Sequence, residues 1–489
     1  MQKDRFFWAA LALTLANLVY WTAYNINAFF AFKFTNETAM ATVSFYYLTH
    51  LAYLLKGLQF LTVGQHISPL TVFLIGPFYY FFPSPLTLSL IKAIVLSLSG
   101  IVVYYVAKGF SNAPKFSLAL TVAYFFNPGT ICMQLFEYHP ELFIIPLYLL
   151  TFYFCMKCNK KGFYVSLCLL LCTFESILSI AFMLGFGILA YEYLYDKDKL
   201  KSERIRLAWM IIVCTILAMG FYNYVYYSVQ GTYSSNYPVQ EELVPFPLVP
   251  PLGGASYNYP QGWVAADAPA YATYATEITL VAFGLLAVAV LPSLVLFIAP
   301  WLAGVFILHN TAFFYAWRYS YAIPGAVIAA MLGYVVLMRR FPVAAPKLPI
   351  PEIIAIISLL LCAYLLGQPF SMPFYSRLLS PPQEMLTFQT NQSEAASYAQ
   401  LDYIISLIPK NASLMTSFNL WPMLSNRQYS EPIAMLNQHY FKPEYILYDP
   451  DVSVQLAYVN EAEYLANYTA GGNYSIVAEN GSAELWKLR

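Results

Sequence analysis

The sequence predicts an all-α polytopic membrane protein with about 11 transmembrane helices and a small α/β C-terminal domain outside the membrane. Three observations lead there. The chain is 60% hydrophobic and only 10% charged, a balance that soluble domains do not reach. Apolar stretches of helical length recur from the N-terminus to about residue 370. From about residue 373 the composition changes, and the tail carries eleven acidic against six basic side chains. The net charge of zero offers no basic patch for nucleic acid.

The spans are expected at about 6–27, 86–107, 116–133, 141–156, 162–174, 177–194, 207–227, 277–291, 293–308, 319–337 and 352–370. Basic residues set the sidedness. Lys3 and Arg5, Lys108 and Lys115, the cluster Lys157/Lys160/Lys161, the run from Lys197 to Arg206, and Arg339/Arg340/Lys347 all fall on one side for a cytoplasmic N-terminus. Both flanks of the run 162–194 are basic, so the chain goes out and returns there, turning near Glu175. The same parity places 28–85, 134–140, 228–276, 309–318 and the tail outside. The two domains are then 1–372 in the membrane and 373–489 beyond it.

Sequons at Asn36, Asn391, Asn411, Asn467, Asn473 and Asn480 all lie in segments read as external. In the first loop, 40–60 reads as an interfacial helix with Lys56 snorkelling, and 69–82 as an apolar piece along the outer leaflet. Residues 228–276 are rich in Pro, Tyr and Gly without a clear period, which marks a loop over the membrane. The tail holds an amphipathic helix at about 393–408 and strands at 412–418, 444–448, 474–478 and 483–488. All seven cysteines lie in or beside apolar runs, and Cys155–Cys158 reads as a packing pair at a helix end.

Between Asp4 and Asp196 the only acidic residues are Glu37, Glu137, Glu141, Glu175 and Glu192. A carboxylate in such apolar surroundings is costly unless it is paired or faces a polar cavity, so each is a functional candidate. Parity puts Glu37, Glu137, Glu141 and Glu175 on the external face with His66, His139, His309 and Arg318. Glu192 alone stays on the cytoplasmic face.

The stretch His66-Ile-Ser-Pro69, the motif Tyr138-His139-Pro140-Glu141, the acidic turn Thr173-Phe174-Glu175 and the helix start Arg318-Tyr319 through Pro324 resemble one family. It is the archaeal and bacterial membrane proteins known as domain of unknown function 2079, and the resemblance covers nearly the whole chain. That family is in turn similar to the C-type glycosyltransferases of the protein O-mannosyltransferase branch. The resemblance implies a polyprenyl-phosphate sugar as donor and an acid early in the first external loop. Glu37, 29 positions before His66, fills that place, as Asn36-Glu37-Thr38 where the family shows Asp.

Lipid-linked glycosyl transfer needs a base for the acceptor and cations or dipoles for the departing phosphate. Glu37 is the expected base, with Glu141 and Glu175 as further catalytic carboxylates. Lys56 and Arg318 suit the donor phosphate. His66 and His139 suit substrate, or with Glu141 a divalent cation; no metal or other cofactor is required by the sequence. Glu141 at a helix start and Arg318 at an interface also have plain structural readings, as dipole partner and anchor. The partners expected are membrane lipid and the lipid-linked sugar. A transporter using the same glutamates, or a non-catalytic scaffold of an envelope glycosylation complex, are the alternatives.

Overall fold

The computed structural model describes residues 4–30, 36–50, 61–63, 66–135, 138–175, 177–195, 201–233, 283, 286–302, 320–342, 348–367, 392–417, 420–427, 429–433, 442–450 and 461–489. Among the described residues ten α-helices precede residue 234: α1 (Arg5–Phe30), α2 (Asn36–Thr49), α3 (Pro69–Phe81), α4 (Pro85–Ser111), α5 (Pro114–Phe125), α6 (Pro128–Leu135), α7 (Ile144–Met156), α8 (Lys160–Leu171), α9 (Ile177–Leu194) and α10 (Lys201–Tyr233). Then follow α11 (Leu291–Phe297), α12 (Ala299–Leu302), α13 (Ile323–Arg340) and α14 (Ile350–Gly367). Among the described residues five helices are long and apolar enough to cross a membrane: α1, α4, α9, α10 over Ser202–Val225, and α13. They are six if α5 and α6 form one broken span. The remaining expected spans are shorter helices or lie partly outside the described residues.

Proline punctuates this array. It opens α3, α4, α5 and α6 at their first positions, where a missing N–H costs nothing. At 116–133 the sequence predicts one span, but Asn127-Pro128 divides it. The pieces meet at 55°, because proline cannot donate to the preceding turn and its ring crowds that turn's carbonyl. The turn predicted near Glu175 is present: α8 ends at Leu171 and α9 begins at Ile177.

Helix α4 is the hub, packing against α1, α5, α7 and α13. Helix α13 is buried without interruption from Ile323 to Gly333. Its small residues permit close approach: a Cβ on Gly333 would stand 1.9 Å from the Leu286 carbonyl oxygen, and one on Gly325 2.9 Å from that of Phe297. Small residues let membrane helices come into backbone contact, where packing rather than the hydrophobic effect holds them.

The two ends of the bundle differ in chemistry. At the end where α4 finishes and α5 begins, Lys108 pairs with Asp4 and Lys115 with Glu352. At the loops joining α7 to α8 and α9 to α10, Glu203 takes Lys160 and Arg206, each at 3.1 Å. Arg204 is clamped by Glu192 at 3.4 Å and by the Met156 carbonyl at 2.9 Å. Among the described residues, Lys108, Lys115, Lys160, Arg204 and Arg206 from three of the basic clusters of the sequence each have an acidic partner. Asp4 sits below the usual carboxylate range because Lys108 hydrogen-bonds it.

The C-terminal domain is a five-stranded mixed sheet, assembled from β3 (Leu414–Thr416), β4 (Ser430–Pro432), β5 (Tyr445–Tyr448), β6 (Tyr474–Asn480) and β7 (Ala483–Leu488), in the order β4-β3-β5-β7-β6. Alternation along the strands decides its two faces. Leu414, Leu447 and Leu485 pack under α15 (Gln392–Ser406) through Leu401 and Ile404. Met415 and Ile446 face the other way, onto Leu465 of α17 (Glu461–Thr469). Strand β4, α17 and the short α16 (Trp421–Leu424) are elements the sequence did not announce. The last docks the domain on the first loop: Trp421 is buried against Ala39 and Val43 of α2. Beside it, Asn426 accepts from the Tyr79 hydroxyl at 3.2 Å and donates to the Pro83 carbonyl at 2.9 Å.

Candidate functional site

At the end of the bundle opposite the ion pairs, four segments distant in sequence meet. The first is a hairpin of β1 (Thr62–Val63) and β2 (His66–Ile67), pairing Val63 with His66. Its continuation is fastened to the turn after α8. The Ile67 N–H donates to Glu175 Oε2 at 2.9 Å, Ser68 Oγ donates to the Thr173 carbonyl, and the Leu70 N–H donates to the Cys172 carbonyl at 2.7 Å. Pro69 starts α3 immediately after, so the chain leaves the turn at a set angle.

The motif at 138–141 is the third segment. His139 is extended, with φ −142° and ψ 141°, and Pro140 opens a 3-10 turn (Pro140–Phe143) that leads into α7. The His139 ring meets the Phe174 ring edge-on, with centroids 5.7 Å apart. This ties the motif to the acidic turn. Its Nδ1 stands 3.8 Å from Glu141 Oε2, and Glu141 is fully buried. The fourth segment supplies Tyr321, just before α13, whose hydroxyl donates to Glu141 Oε1. A carboxylate hydrogen-bonded by a phenol and flanked by an imidazole can hold or pass a proton.

The structure thus brings together His139, Glu141 and Glu175, with the backbone of His66 at the rim. Glu37 is the second residue of α2, and its side chain is outside the described residues, as are Lys56 and Arg318 in full. Glu137 and His309, and the loop 228–276, also lie outside them. No group of three metal-ligating side chains occurs among the described residues.

Two buried polar side chains were not singled out from the sequence. Tyr321 is one of 43 tyrosines, and nothing local distinguishes it. Lys92 is buried to 1% exposure in α4, its ammonium 2.7 Å from the Gln134 carbonyl. It had a legible signal, as the single charged residue inside the run 86–107.

A helical array with several apolar spans and fully buried carboxyl groups at Glu141 and Glu192 defines a multi-pass membrane protein. The chain belongs to the family of predicted membrane proteins DUF2079, which it matches over residues 37–485. No curated protein matches it.

Proposed function

We propose that the protein is a glycosyltransferase-like membrane enzyme. It moves a sugar from a polyprenyl-phosphate donor to an envelope lipid, glycan or protein acceptor at the external face. The observation that carries this reading is the convergence of the His66–Pro69 segment, the 138–141 motif, the acidic turn and the start of α13 at one end of the bundle. That end also receives the C-terminal domain. Glu37 serves as the base, at the head of a helix that the C-terminal domain packs upon. The pair Glu141–Tyr321 with His139 orients the acceptor, Glu175 sets the position of the His66–Pro69 segment, and Arg318 with Lys56 holds the donor phosphate.

The direct test is transfer from labelled polyprenyl-phosphate sugars by the purified chain. Glu37→Gln should lower the rate by roughly 10²-fold while donor binding persists. Arg318→Ala should weaken donor binding first. Full activity in Glu37→Gln with none in Glu141→Gln would move the base to the 138–141 motif. The broken span α5–α6 favours a second reading, a transporter, since interrupted helices line many transport sites. Substrate uptake by proteoliposomes without any transfer would establish it.

A further inference from the structure

The C-terminal domain carries more sequons than its composition predicts. Nine asparagines lie from residue 373 onward and five of them begin Asn-X-Ser/Thr, whereas of the eleven before residue 373 only Asn36 does. Ser and Thr make up 16 of those last 117 residues, so chance would begin about one. Asn391 lies outside the described residues; Asn411, Asn467, Asn473 and Asn480 lie within them.

A folded sequon can be modified where its amide nitrogen and the hydroxyl two residues on both reach the surface. The fold separates the four on that ground. Asn480-Gly481-Ser482 closes the hairpin of β6 and β7, with Gly481 at φ 63°. The Asn480 amide donates to the Gln400 carbonyl at 3.2 Å and the Ser482 hydroxyl to Asp449 Oδ1 at 2.8 Å, so both groups are engaged in holding the turn. Asn467 is exposed, but it and Thr469 lie within α17, where the Thr469 hydroxyl donates to the Leu465 carbonyl at 2.9 Å. Asn411 and Asn473 are exposed in turns just ahead of β3 and β6, with the half-buried Ser413 and Ser475 two residues on. Ser413 accepts the Glu444 N–H at 2.9 Å, which leaves its own proton to donate.

The strand order adds a reason at Asn473. The domain seats on the membrane helices through α16 and Asn426, on the β4 side of the sheet. Strand β6 is the outer strand at the other side, four strand spacings of about 4.8 Å away. Ile476 and Val477 of β6 are 40% and 51% exposed. An outer strand with apolar side chains pairs with other chains unless something covers it. A hydrophilic glycan three residues before Ile476 would cover that edge and stand clear of the docking surface.

We propose that Asn473 and Asn411 are N-glycosylation sites, and that the glycan on Asn473 shields the β6 edge. The proposal rests on the external placement expected for the tail and owes nothing to the enzyme reading above. The co-reactant is a glycan on a polyprenyl phosphate or pyrophosphate, used by a separate oligosaccharyltransferase. Asn Nδ2 attacks C1 of the first sugar; the N–C1 bond forms as the bond from C1 to the phosphate oxygen breaks. The lipid phosphate leaves with the bonding pair, and the amide gives one proton to the transferase's base.

The test has two arms, both on the full chain. In the first, protein from cells without N-glycosylation is kept folded in maltoside micelles. It is incubated with a single-subunit oligosaccharyltransferase and its lipid-linked oligosaccharide, and occupancy is read by peptide mass spectrometry. Asn411 and Asn473 should be modified about tenfold faster than Asn480, the cost of first opening two ordinary hydrogen bonds. Chain digested beforehand should be modified at all of them. Bare Asn411 and Asn473 in the folded chain, or equal rates at Asn480, overturn the selection by the fold. In the second arm the protein is isolated from its own cells. Glycan at Asn411 and Asn473 establishes the sites, and bare side chains at both overturn the proposal. Asn473→Gln from the same cells should self-associate more than the wild type on gel filtration, and equal behaviour removes the shielding role. That variant keeps the bond by which residue 473 holds the Arg489 N–H, because the acceptor is the main-chain carbonyl.

Discussion

Glu175 holds the His66–Pro69 segment through one bond whose loss can be sized. Its Oε2 accepts the Ile67 N–H at 2.9 Å, with both groups partly buried. Hydrogen bonds to a charged partner contribute about 1.5–3 kcal/mol. At about 1.4 kcal/mol per tenfold, Glu175→Ala should raise local opening at Ile67 by roughly 10- to 150-fold. The Ser68 and Leu70 bonds to the same turn remain, so the change should stay local. Glu175→Gln keeps an acceptor oxygen and loses only the charge, a difference of about 1 kcal/mol or some fivefold. Hydrogen exchange measured on fragments of the peptide spanning 61–72 reads these effects directly. Unchanged protection at Ile67 in Glu175→Ala would refute the reasoning. In the transfer assay, a Gln variant as inactive as the Ala variant would give Glu175 a chemical role beyond positioning.

Two further outcomes concern the docking of the C-terminal domain. Trp421 is absent from both of that domain's own cores and packs on α2, so Trp421→Ala should leave the sheet folded. With burial like this, truncation costs about 3–5 kcal/mol. After cleavage at a protease site inserted near residue 380, the variant tail should separate on gel filtration while the wild-type tail co-elutes; co-elution of both would refute the contact's importance. The second outcome is a pH dependence. Burial, then Tyr429, Tyr46 and Glu431, push the Tyr47 phenol up to about 12 from 10. A phenol raised in the folded state favours docking fully below pH 10, and the contribution is lost as pH rises through 12. Tail retention in Tyr47→Phe should fall less between pH 9 and 11.5 than in the wild type, and parallel loss in both would exclude Tyr47 as the cause.

Particular residues show how much of this was readable along the chain. The 162–194 run has length enough for one tilted helix, and the basic residues at both flanks were what required a turn at Glu175; charge decided a question that hydropathy left open. The strands at 474–480 and 483–488 show alternation, whereas 445–448 is a short apolar run because Ile446 and Leu447 meet cores on opposite faces of the sheet. Strand β4 escaped notice since Ser430-Glu431-Pro432 carries no such alternation; parallel pairing with β3 makes it a strand. Asn127-Pro128 was a visible breaker inside an expected span, and apolar length outweighed it.

For the site, the sequence by itself singled out the carboxylates. A charge within an apolar run stands out against its neighbours, and Glu141 and Glu175 are found by that contrast alone. It could not say what each carboxylate touches. Glu141 takes its hydrogen bond from Tyr321, 180 positions away, and Glu175 from Ile67, 108 positions away. Partners at such separation share no local pattern, and a tyrosine in a chain this aromatic carries no mark of its neighbour. Membrane class, the turn at Glu175 and the folded tail were set by composition and periodicity, which are properties of short segments. Which ends of α3, α7, α9 and α13 meet, and that Trp421 seats the tail on α2, was decided only by how the helices pack. Packing depends on the close approach of small residues such as Gly325 and Gly333 to particular carbonyls, a fit of surfaces that no window along the sequence contains.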